Sequence, residues 1–340
     1  MSESMGWGLG MILLGGFLQG SFVLIWKRMP GWRFENTWLV YSIAGMIALP
    51  WVLAVATVPG FAEVLHRISG RTLAEAAAFG FGWGVGSVLA GLGIKYAGMA
   101  LSSSILLGIT ASFGSLLPLV VLQSGKFWTR QTFVLMAGLL IVILGLSLCS
   151  MAGRRREREL SQATEFGGLS FWWGLVICML SGLFSPMLNF SFVFGGEVQR
   201  LALASGAKPA MASNLIWAVA LSAGFTVNAG YCLYLLKKNQ TWGLLNQKDV
   251  RGLYWLGGSL MGLFWFAGIA LYGIGAVDLG ALGAVIGWPL FMLVIILTSN
   301  FLGAVSGEWK GVSKGTYSYV WAGNAVLVLA IYVISRGRAA

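Results

Sequence analysis

WGLGMILLGGFLQGSF, Trp7 to Phe22, has a counterpart 166 positions later in WGLVICMLSGLFSPML, Trp173 to Leu188. Trp7/Trp173, Gly8/Gly174, Leu9/Leu175, Leu14/Leu180 and Gly16/Gly182 coincide. Neither run carries a charge, and neither alternates apolar with polar residues as a half-buried strand would. Each is a piece of a longer uncharged segment, 6–26 and 169–194. A helix of about 20 residues crosses the ~30 Å of hydrocarbon in a bilayer. Both runs therefore predict membrane-spanning helices, and their likeness predicts a chain built twice.

Working outward, segments 38–58, 99–122, 130–151, 211–236, 253–274, 279–302 and 316–335 are also uncharged, apart from Arg130 at the edge of one. Thr72–Tyr96 is a further span with Glu75 near one end and Lys95 near the other. The sum is ten spans. A spanning backbone must satisfy its own hydrogen bonds, and runs without alternation do so as helices, not barrel strands. Bulk composition agrees: charged residues are 10% of 340, and mean hydropathy is +0.82. A soluble domain carries about a quarter charged residues, so most of this surface must face lipid. Met1–Met5 lacks the positive charge of a signal peptide, and the first span is expected to be retained.

The likeness continues in order. Trp38/Trp217, Ala44/Ala223 and Gly45/Gly224 match at an offset of 179, and Gly86/Gly262 with Tyr96/Tyr272 at 176. Ser124-Gly125 and Ser306-Gly307 open the links into spans 5 and 10, with Trp128 and Trp309 close behind. The expected organisation is all-α: a first five-helix repeat in 1–152, a charged cytoplasmic linker in 153–168 and a second five-helix repeat in 169–340. An odd number of spans per repeat means that the second enters the membrane from the opposite face. Inverted repeats place a solute site near the midplane between the halves, and rocking exposes it to each side in turn. A receptor, a channel or an intramembrane enzyme needs no such symmetry, so a transporter is expected.

Other chemistries lack their residues. His66 is the one histidine and lies in a loop, Asp249 and Asp278 lie at span ends, and Cys149, Cys178 and Cys232 lie inside spans as small apolar fillers. That leaves no serine–histidine pair, paired aspartates, zinc motif or cofactor site. The glycines of Gly82-Trp83-Gly84-Val85-Gly86 read as packing surface, since no phosphate-loop context surrounds them. Fourteen Lys and Arg fall in loops of one parity and eight on the other side. The positive-inside rule makes the first set cytoplasmic and both termini periplasmic. The net charge of +11 thus belongs to membrane topology and anionic lipid, not to nucleic acid.

Several residue groups together resemble one family. They are Trp32 with Glu35 and Trp38; Leu49-Pro50-Trp51; Phe79-Gly80 with Trp83-Gly84-Val85-Gly86; and Gly91-Leu92 through Lys95-Tyr96 to Gly98-Met99. In the second half they are Gly182-Leu183-Phe184-Ser185, Asn228 with Gly230 and Cys232, Gly262-Leu263 with Trp265, and Glu308-Trp309. The chain resembles, nearly end to end, the L-rhamnose–proton symporters of the drug/metabolite transporter superfamily. The resemblance implies import of a small sugar with a proton across a bacterial inner membrane. The proton gradient is then the driving force, with no bound cofactor or metal. Ser87-Val88-Leu89-Ala90 and Leu279–Val285 are less polar than in the family's enterobacterial type. The alternatives are a facilitator, a sodium-coupled carrier or a carrier of another metabolite in the same superfamily, and, in a different class, a sugar-sensing receptor or channel. The oligomeric state is left open, and a monomer suffices.

A sugar site wants hydrogen-bonding side chains for hydroxyls and aromatic faces for ring C–H groups. Near span centres lie Gln19, Ser21, Trp83, Ser87, Thr110, Ser185, Asn189, Trp265 and Trp288. Pro289 is expected to open the backbone beside Trp288. Against this, membrane tryptophans mostly anchor interfaces, a mid-span amide often bonds only another helix, and Ser or Thr often bonds its own backbone. Proton coupling normally uses an intramembrane carboxylate, and none of the eleven acidic residues is mid-span. Asp278 is the preferred candidate at the outer end of span 9, followed by Glu75 at the outer end of span 3 and Glu35 at the inner end of span 2.

Overall fold

Lipid fixes how long each helix must be, and among its described residues the computed structural model carries ten helical segments long and apolar enough to cross a membrane. They are span 1 (Gly6–Trp26), span 2 (Phe34–Thr57), span 3 (Gly70–Ile94), span 4 (Ser102–Val121) and span 5 (Arg130–Glu159). Then come span 6 (Trp172–Ala204), span 7 (Pro209–Asn239), span 8 (Arg251–Asp278), span 9 (Gly283–Val305) and span 10 (Lys314–Ser335). The structure describes residues 3–97, 99–122, 129–160, 168–280 and 283–336, and no strand occurs among them. Ser124-Gly125 and Trp128 lie outside the described residues. The stretch expected as a linker begins as helix, because span 5 runs on to Glu159; residues 161–167 lie outside the described residues.

Two compact units emerge, and each takes helices from both sequence halves. Unit 1 is Met1–Val85 with Met187–Ala281, and unit 2 is Gly86–Pro186 with Leu282–Ala340. A sequence repeat and a contact unit are different partitions of a chain, so the two need not coincide.

In unit 1, span 1 lies along span 8 at backbone distance: a Cβ on Gly275 would fall 2.5 Å from Gly8 O, and one on Gly268 2.7 Å from Gly15 O. Lipid gives helices no hydrophobic reason to associate, so close van der Waals contact through small residues must hold them. Span 2 contains a π-helical turn, Ile43–Ala48. Pro50 follows it and has no N–H for the carbonyl four residues back, which favours a wider turn there. The turn sets Gly45 against span 8, where its Cβ would lie 3.0 Å from Gly262 Cα. Gly224 of span 7 meets span 3 at similar closeness, with a Gly84 Cβ 2.7 Å from Gly224 O. At one end, the short helices Phe61–Arg67 and Gly196–Ala204 close over an apolar core including Val64, Leu201 and Leu215. Ser69 N and Oγ donate to Glu197 at 3.1 and 2.6 Å, fixing the start of span 3.

In unit 2, spans 5 and 10 pack closely, with Gly145 against Leu327 and Gly323 against Cys149. Asn300 Nδ2 donates to Asn324 Oδ1 at 2.7 Å, tying span 9 to span 10. Glu159 takes Ser313 N at 2.6 Å and Thr316 Oγ1 at 2.6 Å, which caps span 10.

Two helix breaks differ from expectation. Span 9 continues through Pro289 without interruption, so the backbone does not open beside Trp288; a membrane helix tolerates proline when neighbours cover the freed carbonyl. Span 6 is the broken one: helix ends at Phe184, Ser185 and Pro186 form a turn, and helix resumes at Met187. Pro186 cannot donate to Gly182 O, and Thr110 Oγ1 of span 4 reaches that carbonyl instead, at 3.4 Å. Asp278 also moves: it ends the span 8 helix, which stops only before Gly280 at φ +72°, and so does not begin span 9.

Candidate functional site

Span 2 presents Phe34, Trp38, Tyr41 and Gly45 at helical spacing, which puts three rings and a gap on one face. Phe34 stacks on Trp38 (centroids 5.0 Å), Trp38 lies 4.8 Å from Tyr41, and Phe22 of span 1 stacks on Tyr41 at 5.6 Å. Tyr41 meets Trp265 of span 8 edge-on at 5.8 Å. Trp265 in turn lies against Trp83 of span 3, with centroids 5.3 Å apart and planes 30° apart. Gly224 of span 7 makes room for that ring, since a Cβ there would fall 2.9 Å from a Trp83 ring carbon. Asn228, one turn on, accepts from Trp38 Nε1 at 3.3 Å and donates to Gly224 O at 3.1 Å. Unit 1 thus gathers an aromatic wall from spans 1, 2, 3 and 8, braced by span 7. Trp265 is buried, and Trp83 stays half-open.

Gln19 joins this wall. It lies one helical turn before Phe22 and packs on Gly268, itself one turn beyond Trp265; a Cβ on Gly268 would fall 2.9 Å from Gln19 Cβ. Its Oε1 is buried without a hydrogen-bond partner among the described residues. A buried amide oxygen without a donor costs about 1–3 kcal/mol, which a bound hydroxyl would relieve.

The other sequence candidates make different contacts. Ser21 Oγ bonds its own helix at Phe17 O, 2.6 Å away. Asn189 is buried and accepts from Tyr272 OH, joining span 6 to span 8. Thr110 and Trp288 do come together, but in unit 2. Trp288 Nε1 donates to Thr110 O at 3.1 Å, and the ring covers Gly114 beside Pro186. That hub braces the break in span 6, and Ser185 lies in the break itself. Ser87 is half-buried on the unit 2 part of span 3.

The three acids have different surroundings. Glu75 spends its charge on exposed Arg71, 2.7 Å away. Asp278 is half-buried, with its Cβ against Gly8. Glu35 is only 3% exposed, and its Oε1 accepts from Asn239 Nδ2 at 2.9 Å and Thr241 Oγ1 at 2.8 Å. Asn36 beside it donates to Thr241 O at 2.9 Å. Among the described residues no group of three His, Cys, Asp or Glu is placed to hold a metal ion.

Tyr41, Phe22 and Asn228 were not among the sequence candidates. The spacing of Phe34, Trp38 and Tyr41 was the available signal, but an aromatic stripe on a membrane helix reads equally as lipid contact.

The family model of the L-rhamnose-proton symport protein (RhaT) matches residues 1–340. The chain belongs to this family. L-rhamnose-proton symporters of Klebsiella pneumoniae and Escherichia coli O157:H7 are each 26% identical to it over all of both chains. That of Cronobacter sakazakii is 26% identical over all of this chain and 99% of its own. This member of the symport family is therefore a multi-pass membrane transport protein and not an enzyme, and its ten apolar helices carry that role.

Proposed function

We propose that this protein imports L-rhamnose together with a proton across a bacterial inner membrane, by alternating access. The observation that carries the reading is the aromatic wall of unit 1. Gln19, Tyr41 and Trp83 come from the first repeat, and Asn228 and Trp265 from the second. A 6-deoxy sugar has an apolar edge at its methyl group and C–H faces that suit indole rings, while Gln19 Oε1 awaits a hydroxyl donor. The matched contacts of Gly45 on span 8 and Gly224 on span 3 support the inverted repeat. The excess of Lys and Arg in one set of loops supports periplasmic termini.

In this reading Glu35 is the residue that carries the proton. It is the most buried of the three acids, lies one turn from Trp38, and holds span 2 to the end of span 7 and to Thr241 just after it. Neutralising it weakens two charge-assisted hydrogen bonds at that end of the unit, which links proton occupancy to opening. Asp278 is the second candidate.

Uptake of labelled L-rhamnose into proteoliposomes with an imposed pH gradient tests the assignment. Saturable uptake that rises with the inward proton gradient is expected. Uptake indifferent to the gradient makes the protein a facilitator, sodium-dependent uptake changes the coupling ion, and no uptake sinks the sugar assignment.

A further inference from the structure

Unit 2 contains a cavity of about 700 Å³ bounded by spans 4, 5 and 6. It extends along span 4 from Ser104 to Leu116, twelve residues or about 18 Å of helix. One leaflet of the hydrocarbon core is about 15 Å thick, so the length suits an acyl chain. The interior suits one too. Ile105, Ile109, Phe113, Leu146 and Leu183 dominate the walls. Ser104 Oγ is turned to Leu146 O at 3.1 Å and Ser147 Oγ to Ile143 O at 2.8 Å. Ser112 Oγ, buried without a partner among the described residues, and Ser150 are the other polar groups on walls that are otherwise apolar. Gly108 opens the floor, since the nearest atom to a Cβ there is 3.6 Å away.

Charge marks one end. Ile143, Ser147 and Ser150 of span 5 line the cavity, and the same helical face continues to Arg154 and Arg158, the first about 6 Å beyond Ser150. The neighbouring arginines are engaged elsewhere: Arg155 lies over Tyr319 at 4.2 Å, and Arg156 Nε donates to Glu308 O at 2.7 Å. Arg154 and Arg158 are exposed, and no ion pair to either occurs among the described residues. Glu157 shares their face and lowers its charge to a net single positive.

We propose that this groove binds an anionic glycerophospholipid, with one acyl chain along span 4 between spans 5 and 6 and the headgroup phosphate on Arg154 and Arg158. Basic residues at the mouth of an interhelical pocket are suited to lipid headgroups.

The test uses the full chain, purified, stripped of lipid and offered phosphatidylglycerol or phosphatidylcholine in mixed micelles, with retained lipid read by native mass spectrometry. Wild type should retain phosphatidylglycerol about tenfold over phosphatidylcholine. The R154Q/R158Q double variant should lose that preference and keep its melting temperature. Gly108→Leu, or Ile143→Trp where the first does not fold, should lose both lipids. Equal retention of the two lipids by wild type, an unchanged preference in the double variant, or full retention by a folded groove-filling variant each overturns the proposal.

Discussion

Trp83 and Trp265 lie with ring centroids 5.3 Å apart and planes inclined by 30°, although 182 positions of chain separate them. One comes from each half of the sequence, and the two rings meet at an aromatic surface inside unit 1. Trp83→Ala should raise the apparent KM for L-rhamnose uptake roughly tenfold, from loss of about 1.5 kcal/mol of ring contact. Trp83→Phe should recover part of it. Because Trp83 is half-open, the melting temperature should fall little. A KM that does not change would place the sugar elsewhere.

Gln19 separates a binding role from a packing one. Its Oε1 is buried without a donor, so in a purely structural role Gln19→Leu should be neutral or stabilising. If a sugar hydroxyl satisfies that oxygen, the same variant should raise KM about tenfold while melting at the same or a higher temperature. Uptake kinetics and thermal melting in detergent, measured side by side, decide between the two.

Thr110 was a sequence candidate for substrate, yet its hydroxyl covers the carbonyl that Pro186 leaves open. Thr110→Val keeps the shape and removes the hydroxyl. It should cost about 1–2 kcal/mol of stability and leave KM unchanged. A higher KM with an unaltered melting temperature would return Thr110 to the sugar site.

Glu35→Gln should abolish accumulation driven by a pH gradient while sparing exchange of labelled for unlabelled sugar at equal pH. Asp278→Asn and Glu75→Gln should both still accumulate sugar. If Asp278→Asn is the variant that loses accumulation but keeps exchange, the coupling proton belongs at the end of span 8.

The backbone approach of spans 3 and 7 leaves no room for a methyl group at Gly84, whose Cβ would lie 2.7 Å from Gly224 O. Gly84→Ala should therefore destabilise the protein by about 1–3 kcal/mol. Gly10→Ala has nothing within 4 Å and should not. Equal melting temperatures for the two variants would show that span 3 can back away from span 7 at no cost.

The ten spans and their order are local properties, and they were legible in the residues. Crossing hydrocarbon needs only enough consecutive apolar residues, which a linear sum along the chain detects. Which face of each helix turns inward is different. Lipid is as apolar as the protein interior, so a membrane helix carries no amphipathic stripe to read. Trp217 is 0% exposed and Trp172 is 66% exposed, though both are tryptophans in uncharged runs. Likewise Pro289 and Pro186 read alike, yet only Pro186 breaks its helix, where Thr110 stands ready to take the freed carbonyl. The sequence by itself determined the class, the family and the acids and aromatics available. Only tertiary packing, through glycine contacts between residues far apart in the chain, decided that Trp83, Trp265, Tyr41 and Gln19 share one wall.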